Sequence, residues 1–193
     1  TIKSIVLRIS SIRLIISLAA GFFAAHWFAG LGWSVAGVYS AIVLATGPTV
    51  VTPLVRQIRL ASPLSDVLEA EGLILEPIGA VLALLLLELV VGDLHGWREL
   101  LLGLLSRLGG GVLIGSIAGL LLSEGLKRLR SEPYIGIRLQ LTLGVIFLLY
   151  GVCEWLLPES GLPASVAAGF VVGQRPSTQA NELDKLIREL AQL

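Results

Sequence analysis

The sequence predicts an all-α membrane protein with six transmembrane helices, and three observations carry this prediction. Hydrophobic residues make up 55% of the 193 residues and charged residues only 15%, whereas a soluble domain has about 25% charged residues. The mean hydropathy is +0.88. Runs of about 20 apolar residues, the length that a helix needs to cross a bilayer, recur along the whole chain.

The six spans follow from the apolar runs, taken in chain order. They are expected at about 12–31, 35–57, 64–91, 98–126, 136–157 and 162–174. Short turns containing Gly or Pro separate most of them. The fourth is expected to begin as an interfacial segment that ends at Leu108, with the spanning helix starting at Gly109.

The two ends of the chain are predicted to be amphipathic interfacial segments, 1–10 and 178–193, of a single transmembrane domain, 1–193. The chain opens at Thr1 rather than Met and stops inside the second of these segments. We therefore expect it to be part of a longer protein.

Charge predicts the orientation of the spans. If the spans alternate in direction, one side collects basic residues and the other collects all four tryptophans, as an aromatic belt would. The basic set is Lys3, Arg8, Arg56, Arg59, Lys127, Arg128, Arg130, Arg138 and Arg175, and the tryptophans are Trp27, Trp33, Trp97 and Trp155. The basic side of this multi-pass protein is expected to be cytoplasmic.

Several classes of function have no support. No basic cluster interleaves with aromatic residues, so nucleic acid is not an expected partner. Cys153 is the only cysteine and is expected to pack as a small apolar residue. His26 and His95 have no helical partner for a metal site. Neither nucleophile-elbow, phosphate-loop nor metalloprotease spacing occurs, so we expect no enzymatic activity and no cofactor.

The third span carries acids where the membrane should exclude them, and an ionisable residue at such depth is by default a functional hypothesis. Glu76 lies close to the midpoint of the span. Glu71 lies about 7–8 Å nearer the cytoplasm and roughly 140° around the helix, so the two are not expected to form one paired site. Pro77 leaves the Leu73 carbonyl without its helical donor. The alternatives are a simple packing kink at Pro77 and an internally hydrogen-bonded acid at Glu76.

The second span has a defect at mid-depth, Thr46-Gly47-Pro48. Pro48 frees the Leu44 carbonyl, Gly47 permits unusual dihedral angles, and Thr46 supplies a hydroxyl group. Helices interrupted near the midplane indicate a transporter's substrate site, because their exposed backbone groups can bind ions.

Together, the broken span and the acidic span predict exchange of a monovalent cation (Na⁺, K⁺ or Li⁺) for protons. Desolvation favours the protonated form of a carboxylate, and after proton loss the same group can bind a cation. Glu76 would be this group, with Glu71 and Thr46 as supporting groups and Gly47, Pro48 and Pro77 shaping the backbone. Apart from the transported cation, no metal is expected.

Other polar and small residues are predicted to have structural roles. Arg107 is expected at the interface or snorkelling towards it. Glu124, Arg138 and Glu154 are expected to stabilise or anchor helices. The segment Gly109–Gly119 (GGGVLIGSIAG) has small residues four apart, which predicts close packing against another helix.

These residues resemble the cation:proton antiporter superfamily, specifically its NhaP and sodium/hydrogen exchanger types. Thr46-Gly47-Pro48 is similar to the family's Thr-Asp-Pro break, and 68–78 (LEAEGLILEPI) is similar to its Leu-Glu-Gly-Glu-Ser-Leu-Ile-Asn-Asp motif. In that alignment Glu71 matches the family's glutamate and Glu76 its ion-binding aspartate. The segment 150–173 (YGVCEWLLPESGLPASVAAGFVVG) is similar to the family's late Tyr-x-x-x-Glu…Ser-Gly…Ala-Gly-x-x-x-Gly stretch.

The resemblance implies a fold of about twelve or thirteen spans in inverted repeats, crossing at broken helices, and a homodimer of the full-length protein. The chain departs from the pattern at four positions: Gly47 replaces Asp, Gly72 replaces Ser, Leu75 replaces Asn, and Glu76 replaces Asp. These departures leave the identity of the transported ion undetermined. They also keep three alternatives: a potassium-efflux type, an anion carrier on the same fold, and a membrane sensor or assembly module that does not transport.

Overall fold

The computed structural model describes residues 2–45, 57–58, 62–94, 96–128 and 135–174. Within them the fold is all-helical. The helices are α1 (Ile2–Trp27), α2 (Trp33–Leu44), α3 (Ser62–Val91), α4 (Trp97–Arg128), α5 (Ile135–Leu156) and α6 (Gly161–Gly173).

Four of these helices contain segments that are long and apolar enough to cross a membrane: Ser10–Trp27, Val67–Val91, Trp97–Arg128 and Gly136–Leu156. The other two, α2 and α6, are shorter apolar helices of 12 and 13 residues. The prediction of an all-α, multi-pass membrane fold is therefore confirmed.

The boundaries differ from the prediction at the fourth span. Because α4 is continuous from Trp97 to Arg128, the expected start of a separate helix at Gly109 is wrong. Each glycine weakens a helix by about 1 kcal/mol relative to alanine. Ending the helix inside hydrocarbon would leave backbone groups without partners, which is more costly. Similarly, residues 2–10 belong to the same helix as the first span.

The chain forms two compact units, an N-terminal unit of residues 1–108 and a C-terminal unit of residues 109–193. In the N-terminal unit, α1 and α2 form a tight hairpin whose turn includes Gly30 at φ 67°. A methyl group on Gly21 would lie 3.2 Å from the Ser40 Cβ, so the two helices cross closely there. At the turn the ring of His26 stacks on Trp33 at 3.6 Å, and its Nδ1 lies 2.7 Å from the Leu31 carbonyl oxygen.

A second hairpin in the N-terminal unit joins α3 to the first half of α4. Its core is the buried cluster Val81, Leu85 and Leu100. The turn begins at Gly92, which adopts φ 96°. The Leu85 side chain lies against Gly103, where an added methyl group would come within 2.7 Å of it.

In the C-terminal unit a row of small residues on α4 packs directly on the backbone of α6. Gly111 faces the Ser160 carbonyl oxygen, Gly115 faces Ala164, and Gly119 faces Ala168. Cys153 of α5 is fully buried in the adjoining apolar cluster. Both predictions, close packing of the glycine segment and an apolar role for Cys153, are confirmed.

Candidate functional site

The end of α2 lies against the middle of α3. The helix ends at Leu44, and the backbone N–H of Ala45 donates to the Ile42 carbonyl at 3.2 Å. A methyl group on Gly79 would lie 2.9 Å from the Ala45 nitrogen, so only a glycine fits there without displacing α2. Gly79 is also the midpoint of the candidate span Val67–Val91. The regular part of α2 therefore stops at mid-membrane depth.

The predicted break follows immediately after this point. Thr46, Gly47 and Pro48 lie outside the described residues, so their contribution to the site stays a prediction. What the structure adds is the position at which the chain enters the break: beside Gly79, in the middle of α3.

Glu76 lies within one turn of that contact. It precedes Gly79 by three residues, about 4.5 Å along the helix axis and roughly 60° around it. Its side chain is half-buried. Within the described part of the chain, no hydrogen bond or ion pair joins Glu76 to another residue. A carboxylate without a partner among the described residues, next to the end of a helix, is the arrangement expected of an ion-binding group.

The electrostatics of this position favour a cation. The last carbonyl groups of a helix lack donors from within that helix, and the C-terminal end of a helix carries roughly half a negative charge. At the C-terminus of α2 these groups lie at the depth of Gly79. Backbone oxygens and the Glu76 carboxylate can therefore contribute to one cation site.

Glu71 is in a different environment. Its side chain is 2% exposed, and its Oε2 lies 3.0 Å from Nη1 of Arg13 on α1. Its Oε1 is buried without a hydrogen-bond partner among the described residues. Glu71 lies roughly 80° from Gly79 around the helix, on the side opposite to Glu76. The partner of Glu71 is Arg13 and not Glu76.

Sequence reasoning missed Arg13. The residue lies three positions inside the candidate span Ser10–Trp27, and the rule that singled out the acids of α3 applies equally to a base in α1. The signal was present, but Arg13 is close enough to the basic N-terminal residues to be taken for part of them.

Pro77 and three of the four positions that depart from the family pattern lie on α3. Pro77 is buried, and α3 continues through it to Val91. The buried Leu75 side chain is 3% exposed, so an apolar group occupies the position matched to the family's asparagine. Gly72 is also buried.

A second ion pair lies near the C-terminal end of α3. Nη2 of Arg107 donates to both carboxylate oxygens of Glu88, at 2.9 and 3.0 Å. Helical side chains lean towards the N-terminus of their helix. In an antiparallel hairpin Arg107 therefore leans towards the turn and Glu88 away from it. Arg107 is 13% exposed and pairs with Glu88, and its predicted position, at the interface or snorkelling towards it, stays a prediction.

Two of the weaker candidates, Glu154 and Glu124, make contacts within the C-terminal unit. Glu154 accepts hydrogen bonds from the backbone N–H groups of Glu159, at 2.9 Å, and Gly161, at 3.1 Å. It thereby holds the loop between α5 and α6, as its predicted stabilising role requires. Glu124 pairs with Lys127 at 3.3 Å on the exposed surface of α4.

Comparison with known proteins identifies the family of this chain. The family described as "Sodium/hydrogen exchanger, transmembrane" matches residues 1–192. The chain belongs to this family. This is a family of membrane transporters and not of enzymes. The multi-pass membrane assignment and the recognition of the family from three similar stretches are both confirmed.

One curated relative is a probable Na⁺/H⁺ antiporter 2 from Methanocaldococcus jannaschii. It is 27% identical over 142 residues, which cover 70% of this chain and 32% of the relative. The chain thus spans about a third of the length of that relative. No solved structure matches it.

Proposed function

We propose that this chain forms the ion-binding part of an antiporter that exchanges a monovalent cation, Na⁺ or K⁺, for protons. The observation that carries the proposal is the position of Glu76, without a partner in the described residues and within a turn of the end of α2 at mid-span. The family and the antiporter relative support exchange of this kind.

The proposed mechanism is competition for one carboxylate. Protonated Glu76 releases H⁺ and binds the cation, with carbonyl oxygens from the end of α2 and the Thr46 hydroxyl completing its coordination. Reprotonation on the other side of the membrane releases the cation. Because Glu76 holds either ligand but not both, movement of one in one direction requires movement of the other in return.

The departures from the family pattern bear on the choice of ion. Leu75 and Gly72 provide no side-chain oxygen, so the site depends more on the carboxylate and on backbone carbonyls. A coordination shell with fewer fixed side-chain oxygens discriminates less by size. We therefore expect Na⁺, K⁺ and Li⁺ to be accepted to comparable degrees, in a prokaryotic plasma membrane whose cytoplasmic side faces the basic residues.

The test uses the full protein in vesicles with an imposed pH gradient, read by a pH-sensitive dye. Addition of Na⁺, K⁺ or Li⁺ is expected to dissipate the gradient, and Glu76→Gln should abolish this response because a neutral amide can neither carry the proton nor balance the cation. Glu124→Gln is the matched control, since Glu124 is an exposed carboxylate on α4 and should leave exchange unchanged.

Each other outcome has a distinct meaning. A response retained in Glu76→Gln overturns the site assignment. Absence of any cation response in the intact protein overturns antiport and favours the sensor or assembly module. Dissipation that depends on the anion favours the anion carrier. A response to K⁺ alone overturns the expected broad selectivity and favours the potassium-efflux type.

A further inference from the structure

The helix α4 changes its packing partner halfway along its length. Its first half lies against α3, where Nη2 of Arg107 donates to both carboxylate oxygens of Glu88 at 2.9 and 3.0 Å. Its second half packs on α6 through the row of glycines that begins at Gly111. The boundary between the two compact units falls between Leu108 and Gly109, inside this unbroken helix. The helix is therefore anchored to a different neighbour on each side of the boundary.

Three consecutive glycines follow this boundary, and their surroundings differ. A methyl group on Gly111 would lie 2.6 Å from the backbone oxygen of Ser160, so close packing requires a glycine there. A methyl group on Gly110 would meet only the Cδ1 atom of Leu157, at 2.8 Å, which is the far end of a flexible side chain. On Gly109 an added methyl group would meet nothing within 4 Å from other parts of the described chain.

Packing within the described residues does not explain why residue 109 is glycine. Gly109 is exposed in the middle of a long helix, where glycine is less favourable than alanine because its backbone loses more freedom. The same freedom lowers the energy that is needed to bend the helix, and glycine pairs are among the identified causes of sharp helix kinks. Flexibility is therefore the property that glycine supplies at this position.

We propose that Gly109 and Gly110 form a hinge at which α4 bends during exchange, so that α3 and the first half of α4 change their tilt as one body. The proposal rests on the proposed function, in which Glu76 of α3 exchanges its ligands on one side of the membrane and then on the other. The second half of α4 keeps its contact with α6 while the helix bends.

The contacts on either side of the hinge confine the bend to these two glycines. Arg107, which ties α4 to Glu88 of α3, precedes Gly109 by one turn or less. Gly111, the first glycine in the row that packs on α6, follows Gly110 directly. Hinges in proteins are a few residues that absorb the change in backbone dihedral angles between bodies that stay packed. The two halves of α4 fit this description because each is held close to the hinge.

The first experiment measures exchange in the vesicle assay and thermal unfolding in detergent for Gly109→Ala and Gly109→Ala/Gly110→Ala in the full protein. The difference in helix propensity between glycine and alanine corresponds to a factor of about five in a rate. Exchange is therefore expected to slow roughly fivefold in the single variant and roughly twentyfold in the double variant. The unfolding temperature of Gly109→Ala should rise by about 2 °C, because the straight helix is stabilised.

The matched control is Gly144→Ala in α5. Gly144 is also an exposed glycine in a helix interior, and an added methyl group there meets nothing within 4 Å among the described residues. The same gain in stability is expected, with exchange unchanged. Wild-type exchange in Gly109→Ala, or equal slowing in Gly144→Ala, overturns the hinge. A lower unfolding temperature in Gly109→Ala also overturns it, because another part of the full protein would then pack on this glycine.

The bend is also measured independently of transport, by spin labels at Leu105→Cys and Leu121→Cys. Both leucines are exposed on α4, whereas Cys153 is fully buried and protected from labelling. The α-carbons of the labelled residues are about 24 Å apart in a straight helix. In the full protein in vesicles, the distances are expected to spread below this value and to narrow towards it in Gly109→Ala/Gly110→Ala. Identical distributions overturn the hinge. A bend detected in a wild-type protein that gives no cation response would show that the proposed function fails while the hinge stands.

Discussion

The N-terminal and C-terminal units use opposite means to hold helices together within a membrane. In the N-terminal unit, embedded charges join helix to helix: Arg13 to Glu71 and Arg107 to Glu88. In the C-terminal unit, α4 and α6 pack through the backbone of glycine and alanine residues. The carboxylate of Glu154 accepts hydrogen bonds from the backbone of a loop and, within the described residues, does not pair with a base of another helix. Charge in hydrocarbon is expensive. Both pairs use an acid of α3, the helix that also carries Glu76, so the charge of this unit is concentrated on one helix.

The comparison is tested most severely at the Glu88–Arg107 pair. Arg107→Gln should destabilise the protein by about 3 kcal/mol, because breaking an embedded pair leaves an uncompensated charge. The measurement is the midpoint of denaturant unfolding in detergent. Both charges are removed in Arg107→Gln/Glu88→Gln, which should recover much of the loss. A single variant as stable as wild type would show that this pair contributes little to the hairpin.

Particular residues show how much of this contrast between the units could be predicted from the sequence. Hydropathy identified the spans, and the acids of α3 were found because a bilayer makes any charge conspicuous. The motif at Glu71 and Glu76 led to the correct family. The partners Arg13 and Arg107 were not predicted, because ion pairing depends on which helix faces meet, and this is a property of tertiary packing. The continuity of α4 was missed because the low helix propensity of its glycines is outweighed by the need to satisfy backbone groups in hydrocarbon.

The next largest effect on stability is expected where Gly111, Gly115 and Gly119 of α4 pack on α6, a contact called the seam here. An added side chain at Gly115 would collide with the backbone of Ala164. Gly115→Val should therefore destabilise the protein by about 2–3 kcal/mol through overpacking. Gly109→Val is the matched control in the same helix, since a methyl group on Gly109 meets nothing within 4 Å. Equal losses in the two variants would mean that helix propensity, and not the seam, determines the cost.

The two hydrogen bonds by which Glu154 holds the loop between α5 and α6, called the loop clamp here, should contribute less to stability. Its carboxylate accepts from two backbone N–H groups, and one of them belongs to Glu159, whose φ of 64° is unfavourable for a residue with a side chain. Glu154→Gln replaces one acceptor by an NH₂ group that faces a donor, so the expected loss is about 1–2 kcal/mol. Because this clamp belongs to the C-terminal unit and not to the ion site, cation exchange in folded Glu154→Gln should match wild type. A loss of exchange without a loss of stability would give Glu154 a role in transport and weaken the contrast between the units.

The smallest expected effect is at Ser160, which is fully buried and donates to the Cys153 carbonyl at 3.0 Å. That carbonyl also accepts from the backbone N–H of Leu157 at 2.8 Å, so it keeps a partner when the hydroxyl is removed. Ser160→Ala should therefore lower stability by only about 0.5–1 kcal/mol. It also leaves an alanine at the start of α6, where the small residues pack on Gly111. A loss as large as that of Gly115→Val would show that a hydrogen bond, and not close backbone contact, holds this end of the seam.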